Sequence, residues 1–239
     1  MHEGKAELRG LEVQKDASEE SADAGAQRVF NGIRQAIIEG TLRPGQRLTE
    51  TDIMEEYNAS RGAARSALGM LVGQGLVERV LYQGARVRRA SLSEMIELTE
   101  IRAVVEGMMA ARAAMRATDD EIAELRQIAE AMALSVQQSD FPAYNGLNQA
   151  LHHNINRIAD QRAALELVER LRSQSGIMHQ YRLRRIPGRS KQSAREHAAI
   201  VEAIADRDPE RAEAAMRTHL TSLITAVQMA TNSLEDPPV

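Results

Sequence analysis

The chain has 239 residues, no cysteine, and 30 Lys and Arg against 34 Asp and Glu, a net charge of -4. Disulfides, thiolate nucleophiles and thiolate metal sites are thereby excluded. No apolar run reaches the roughly 18 residues a membrane helix needs and the N-terminus lacks the apolar core of a signal peptide, so a cytoplasmic protein with no membrane partner is expected. The net acidity conceals a division: residues 1–25 carry three Lys and Arg against seven Asp and Glu, residues 26–90 ten against six, and residues 91–239 seventeen against twenty-one. Only the middle segment is basic, as a phosphate-binding module should be.

In chain order, residues 1–25 have few large apolar side chains and no sustained period, which predicts a flexible arm. Val29, Phe30, Ile33, Ile37 and Ile38 then form one helix face that Gly40 can end, and Pro44-Gly45 makes a turn. Thr49 and Asp52 give a loose capping signal for a short helix carrying Ile53, Met54 and Tyr57. After the Asn58-Ala59 turn, Ser60 caps a third helix. Its apolar face is Ala64, Ala67, Leu68, Leu71 and Val72, while Arg61, Gly62, Arg65, Ser66 and Gly69 lie at the edge or opposite. Leu76 to Val80 alternates apolar and polar, Tyr82-Gln83-Gly84 makes a tight turn, and Ala85 to Arg89 returns. Helix, short helix, turn, helix and basic hairpin over 26–90 is the pattern of a winged helix-turn-helix.

Residues 91–234 read as helical throughout. Helices are predicted from Ser93 to Met115, from a Thr118/Glu121 capping box to Gln138, over 141–158 and 161–184, from Lys191 to Ala205, and from the Asp208-Pro209 cap onward. Six helices of this length make an antiparallel bundle, and 235–239 is a Pro-rich tail. The fold class is therefore mainly α, an N-terminal winged helix-turn-helix followed by an all-α antiparallel six-helix bundle. Met95, Met108, Met109, Met115 and Met132 suit core or dimer packing.

Asn148 and His152 are four apart on one helix face, and His197 and His219 fall on the fifth and sixth helices. Side chains from three helices of one bundle can meet at an interior point, where three neutral imidazoles suit Zn, Ni or a similar divalent ion and an amide oxygen is a weaker fourth ligand. The competing reading is that each is an ordinary core or surface histidine. His153 points about 100° from its neighbour, toward the surface or an interface.

The stretch from Arg34 to Val87 resembles the DNA-binding domain of the GntR family of bacterial transcription regulators. The resemblance runs through Gly40, Leu42, Pro44, Gly45, Leu48, Ser60-Arg61, Arg65, Ala67-Leu68, Gly75-Leu76-Val77 and Gly84. It departs where Gly62, Ala63 and Ala64 replace the usual Thr-Pro-Val and Ser66 the usual Glu, which bears on the bases read. A homodimer on a double-stranded operator is implied, with recognition helices in successive major grooves. Arg61 and Arg65 would contact bases or phosphates, Ser60 and Gly62 would approach the backbone, Gln83 and Gly84 would form the wing contact, and Arg43 and Arg47 would neutralise phosphate.

Residues 100–114, 147–155 and 195–220 resemble the all-helical FCD effector domain that follows the winged helix in the FadR branch, and six helices resemble its shorter VanR-like subgroup. That resemblance implies a divalent metal on Asn148, His152, His197 and His219, with Asn where Asp is commoner, and it disfavours a fatty-acyl effector. Neutral ligands leave such an ion its full double charge, so a small carboxylate effector is expected, seated on the metal and Arg102. Arg102 can equally pair with Glu106 at i,i+4. Tyr144 and Asn145 are further effector-contact candidates, or packing and capping groups at the end of their helix. The functional expectation is a ligand-responsive regulator, a repressor, rather than an enzyme. The alternative, a metal-dependent enzyme using the three histidines with Glu196 as base, lacks an HExxH, a paired ExxH or a nucleophile constellation.

Overall fold

The computed structural model describes residues 22–80, 84–89, 91–183, 186 and 188–232. The expected arm up to residue 21, Gln83 at the wing tip and the tail over 235–239 lie outside the described residues. Helix α1 (Ala22–Glu39) begins four residues inside the stretch expected to be an arm, because Gly25 and Ala26 are already buried. Its face of Ala26, Val29, Phe30, Ile33 and Ile37 packs with α2 (Glu50–Glu56) and α3 (Arg61–Gly73) around Ile53, Ala64, Ala67, Leu68 and Leu71. Full burial of a side chain such as Leu71 contributes about 1.5–3 kcal/mol. Thr49 and Ser60 cap α2 and α3, their hydroxyls accepting from the amides of Asp52 and Ala63.

The hairpin is β2 (Val77–Val80) and β3 (Gly84–Val87), paired Val77 with Val87 and Val80 with Gly84. A third strand escaped the sequence reading. Residues Arg47 and Leu48 form β1, antiparallel to β3 on its other edge, giving the order β1-β3-β2. Two residues are too short to show alternation, so only the pairing of Leu48 with Ala85 reveals the strand.

Six helices follow: α4 (Leu92–Arg116), α5 (Asp119–Gln137), α6 (Phe141–Ala159), α7 (Arg162–Leu183), α8 (Arg189–Ala205) and α9 (Pro209–Asn232). Ser91 rather than Ser93 caps α4, and Thr118 and Glu121 form the expected reciprocal box on α5. Gly188, at φ +77°, lets the chain enter α8 at Arg189, two residues before the expected start. Helix α4 packs along α9 and also touches α6, α7 and α8. One continuous core runs through Met95, Leu125, Met132, Leu151, Ile155, Ile200, Ile204, Met216 and Leu220. No helix among the described residues is long and apolar enough to cross a membrane.

Head and bundle touch through α7. The Gln174 side-chain amide donates to the Gln74 carbonyl at 3.1 Å, at the C-cap of α3. Gly75, at φ +68°, leaves room there that a Cβ would take from Gln174. Arg88, just after β3, pairs with Glu94 in the first turn of α4.

Candidate metal centre and nucleic-acid interface

The amphipathic pattern of three helices delivers three histidines to one place. His152 lies between Leu151 and Ile155 on the buried face of α6, His197 between Ala194 and Ile200 on α8, and His219 beside Met216 and Leu220 on α9. All three are at most 5% exposed. One ring nitrogen from each lies within 4.8 Å of the others, and His152 Nε2 is 3.2 Å from His197 Nε2. His153 is exposed, as its place on the helix requires.

The opposite ring nitrogens face acceptors. His219 Nδ1 is 2.8 Å from Glu196 Oε2. His152 Nδ1 is 3.0 Å from Glu106 Oε2, close but not aligned for a linear hydrogen bond. His197 Nδ1 has Ser193 Oγ at 3.5 Å. Glu106 is wholly buried and accepts from Arg102 Nε at 2.8 Å, with Arg172 Nη1 at 3.6 Å. Glu196 accepts from Ser222 Oγ at 2.5 Å and from both terminal nitrogens of Arg189.

Burial pushes all three imidazoles down, His152 to about 3, with Arg172 adding to that at His152 and the neighbouring histidines at His197. The three are therefore neutral at ordinary pH. Burial alone would raise the two carboxyls. Arg102, Arg172 and His152 outweigh it at Glu106 and hold that group well below the usual range, while His219, Arg189 and Ser222 hold Glu196 down to about 2.

These residues fit a divalent ion. A neutral imidazole has one N–H and one lone pair. With the N–H groups turned toward Glu106, Ser193 and Glu196, three Nε2 lone pairs face one another in a buried space, an arrangement that repels without a cation. Nitrogen-to-zinc bonds of about 2.0–2.1 Å place tetrahedral nitrogens about 3.4 Å apart, close to the separation of the His152 and His197 nitrogens. The donor set is nitrogen, suited to Zn or Ni rather than Mg or Ca.

Other predicted positions fare differently. Asn148 is partly buried, one turn before His152 on α6. Arg102 is buried at 5% exposure and committed to the i,i+4 pair with Glu106, so the ion-pair alternative is the arrangement observed. Tyr144 is buried in the first turn of α6, packed into the core as the helix-end packing alternative expects. Its hydroxyl, within reach of Ser193, Arg189 and Glu196, makes no well-formed hydrogen bond. Asn145 is half-buried beside it. Sequence reading missed Glu106, Arg172, Arg189, Ser193 and Ser222 as neighbours of the cluster. It also missed Asn156, one turn beyond His152, whose buried Oδ1 has no hydrogen-bond partner. Spacing carried part of this set: Glu106 lies one turn from Arg102, Ser193 one turn before His197 and Ser222 three residues after His219.

On the head, Arg43, Arg47, Ser60, Arg61, Gly62, Arg65 and Gly84 are all exposed. Arg65 is not a free arm: its Nε and Nη2 grip both oxygens of Glu50 at 2.9 and 3.2 Å. That bond, with Arg61 and Arg79 also near, holds the Glu50 carboxyl below its ordinary value. The result is an ordered basic surface along the N-terminal half of α3.

Residues 25–87 match the family described as bacterial regulatory proteins, gntR family, and residues 97–222 match the FCD domain. The chain is 24% identical over 202 residues to the HTH-type transcriptional repressor RspR of Escherichia coli, covering 84% of this chain and 88% of that protein. It is 26% identical over 208 residues to the repressor GlaR of the same organism, covering 84% and 94%. The solved structure of E. coli McbR/YncC superimposes with a TM-score of 0.75 at 21% identity, over 88% of this chain and 99% of that one. Two domain matches in the order of the two structural units, with relatives spanning nearly the whole length, place the chain in the gntR family of bacterial regulatory proteins, as a transcriptional regulator with a GntR winged helix-turn-helix head and an FCD domain.

Proposed function

We propose that the chain is a homodimeric repressor whose FCD domain holds a divalent metal, Zn or Ni, and a small carboxylate effector that alters operator binding. The observation that carries this reading is the buried cluster of three neutral imidazoles whose outer nitrogens face Glu106, Ser193 and Glu196. His152, His197 and His219 would hold the ion, with Asn148 as the fourth ligand. When bound, the ion supplies a positive charge with open positions for an oxygen ligand.

The guanidinium groups beside the cluster support an anionic effector: Arg102 pairs with Glu106, Arg189 with Glu196, and Arg172 Nη1 is 3.6 Å from Glu106 Oε2. The Tyr144 hydroxyl is a donor in want of an acceptor, and Asn145 lies next to it. Arg102 would act on a carboxylate while still held by Glu106.

The exposed face of α4 supports the dimer. Ile101, Val104, Met108 and Met115 are 47%, 52%, 39% and 60% exposed and follow heptad spacing within the 25-residue α4, the seam a second helix covers. Communication with the head would run along α7, which reaches Glu106 through Arg172 and the end of α3 through Gln174. On DNA, Arg61 and Arg65 would enter the major groove, Gly62 and Ser60 would lie against the backbone, Gln83 and Gly84 would touch from the wing, and Arg43 and Arg47 would neutralise phosphate.

The enzymatic alternative is not favoured by the geometry. Glu196, its general base, is spent on His219, Arg189 and Ser222 and held at about 2. The direct test is calorimetry on Zn-loaded protein with paired ligands, a small carboxylate and its neutral amide. Binding of the carboxylate at least tenfold tighter than the amide is expected, and equal affinity would defeat the effector reading.

A further inference from the structure

We propose that Glu106 and Glu196 are positioning residues that fix the tautomers of His152 and His219, so that both present an Nε2 lone pair to the centre of the cluster. The inference rests on reading that cluster as a metal site and names what makes it competent.

An isolated imidazole can carry its proton on either nitrogen, and a metal ligand needs the proton on the far side. A carboxylate facing Nδ1 supplies the acceptor that keeps it there and raises the basicity of the other nitrogen. His219 Nδ1 has Glu196 Oε2 at 2.8 Å, and His152 Nδ1 has Glu106 Oε2 at 3.0 Å. Neither carboxylate belongs to the helix of the histidine it faces. Glu106 on α4 serves His152 on α6, and Glu196 on α8 serves His219 on α9. Four helices are thereby tied to the orientation of two rings.

Each carboxylate is itself held. Arg102 Nε binds Glu106 Oε1 at 2.8 Å, leaving Oε2 for the ring and for Arg172. Arg189 grips Glu196 with two nitrogens while Ser222 donates to Oε1 at 2.5 Å. A carboxylate pinned at its other oxygen cannot swing away from the imidazole; at His219 the hydrogen bond is formed, and at His152 Glu106 Oε2 stands 3.0 Å from Nδ1, off the hydrogen-bond line, as the nearest acceptor for its proton. His197 differs in that its outer-side partner belongs to its own helix: Ser193, one turn earlier on α8, offers its Oγ at 3.5 Å from Nδ1 and its backbone as a hydrogen-bond partner.

A merely structural role, in which the two acids only neutralise Arg102 and Arg189, predicts something different. Replacement would then lower the unfolding temperature and leave ring protonation and metal affinity alone. Nitrogen-15 spectra of histidine-labelled, chelator-treated full-length protein at pH 7 separate the two. The wild type is expected to show His152 and His219 protonated on Nδ1. In Glu196→Gln and Glu196→Ala the His219 signal should move toward the Nε2-protonated form, more in the alanine variant, which has no acceptor left. Competition with a chromophoric chelator should show Zn affinity about tenfold to a hundredfold lower in Glu196→Ala and less reduced in Glu196→Gln. Glu106→Gln, read at His152, is the second variant should Glu196→Ala not fold.

Wild-type His152 and His219 protonated on Nε2 would overturn the assignment. So would Zn affinities of the folded variants within twofold of wild type with unchanged ring signals. If the wild type bound no Zn or Ni at all, the metal reading would fall, while the tautomer measurement would still decide the roles of Glu106 and Glu196.

Discussion

Two ion pairs show how differently the two ends of this molecule are built. Arg65 and Glu50 meet on the surface of the head, with side chains 65% and 35% exposed. Arg102 and Glu106 meet inside the bundle, at 6% and 0%. Water screens the first pair, so its value is geometric: it orders Arg65 on the exposed face of α3. The second has no water to fall back on, and removing either member takes away the nearest opposite charge of a buried one. The head is therefore a surface whose parts can be changed singly, whereas the cluster is a network that answers as a unit.

Changing that network should give the largest effects. Glu106→Ala leaves Arg102 buried without its partner and is expected to cost about 3–5 kcal/mol in urea unfolding, while Glu50→Ala should leave the urea midpoint where it is. Equal effects would erase the contrast between the two regions.

Acid should sharpen it. The three histidines have folded pKa values below their unfolded value of about 6.5, so the unfolded chain takes up protons first as pH falls. Stability is thus fully present above about pH 6.5 and declines below it, by up to about 1.4 kcal/mol per pH unit for each histidine. Glu106 and Glu196, also lowered, add to the loss only below about pH 4.5. Unfolding of the metal-free protein should accordingly weaken with a midpoint shift beginning near pH 6.5 in denaturant titrations. His153→Ala, an exposed ring, should not change that profile. A profile flat to pH 5 would contradict the burial of neutral rings.

Smaller effects belong to the head. Arg61→Ala, at an exposed position in the first turn of α3, should weaken operator binding about tenfold with no change in Zn affinity. Gln174→Ala removes one hydrogen bond to the end of α3 and should change stability by only about 0.5–1.5 kcal/mol. Its specific signature is a reduced effect of the carboxylate on DNA affinity, with both separate affinities kept. Unaltered coupling would remove α7 from the route.

The same contrast explains what the sequence disclosed. Head residues that act together are close in the chain: Ser60, Arg61, Gly62 and Arg65 lie within two turns, so the capping residue, small residues and spacing reveal them. The three histidines could be matched because each sits on a periodic apolar face and the resemblance to FCD domains supplied their common destination. Their partners could not. Glu106 meets His152 across 46 positions, and Glu196 meets His219 across 23. In sequence Glu106 reads as an i,i+4 partner of Arg102 and Glu196 as an acid near the histidines, with nothing to say which ring either one faces. Only packing of α4 on α6 and α8 on α9 shows that they point inward. Likewise the buried Arg102–Glu106 pair is one that periodicity alone did not predict for an arginine beside exposed Ile101.

On the function proposed above, occupancy of the buried cluster controls the exposed head. The most direct test is a titration of DNA from upstream of the chain's own coding sequence with Zn-loaded protein, with and without a panel of small mono- and dicarboxylates, at two salt concentrations. A saturable, salt-sensitive dimer complex is expected, with at least one carboxylate shifting its Kd fivefold or more and no such shift in His219→Ala. A complex whose Kd no carboxylate changes, or whose shift survives in His219→Ala, would contradict it.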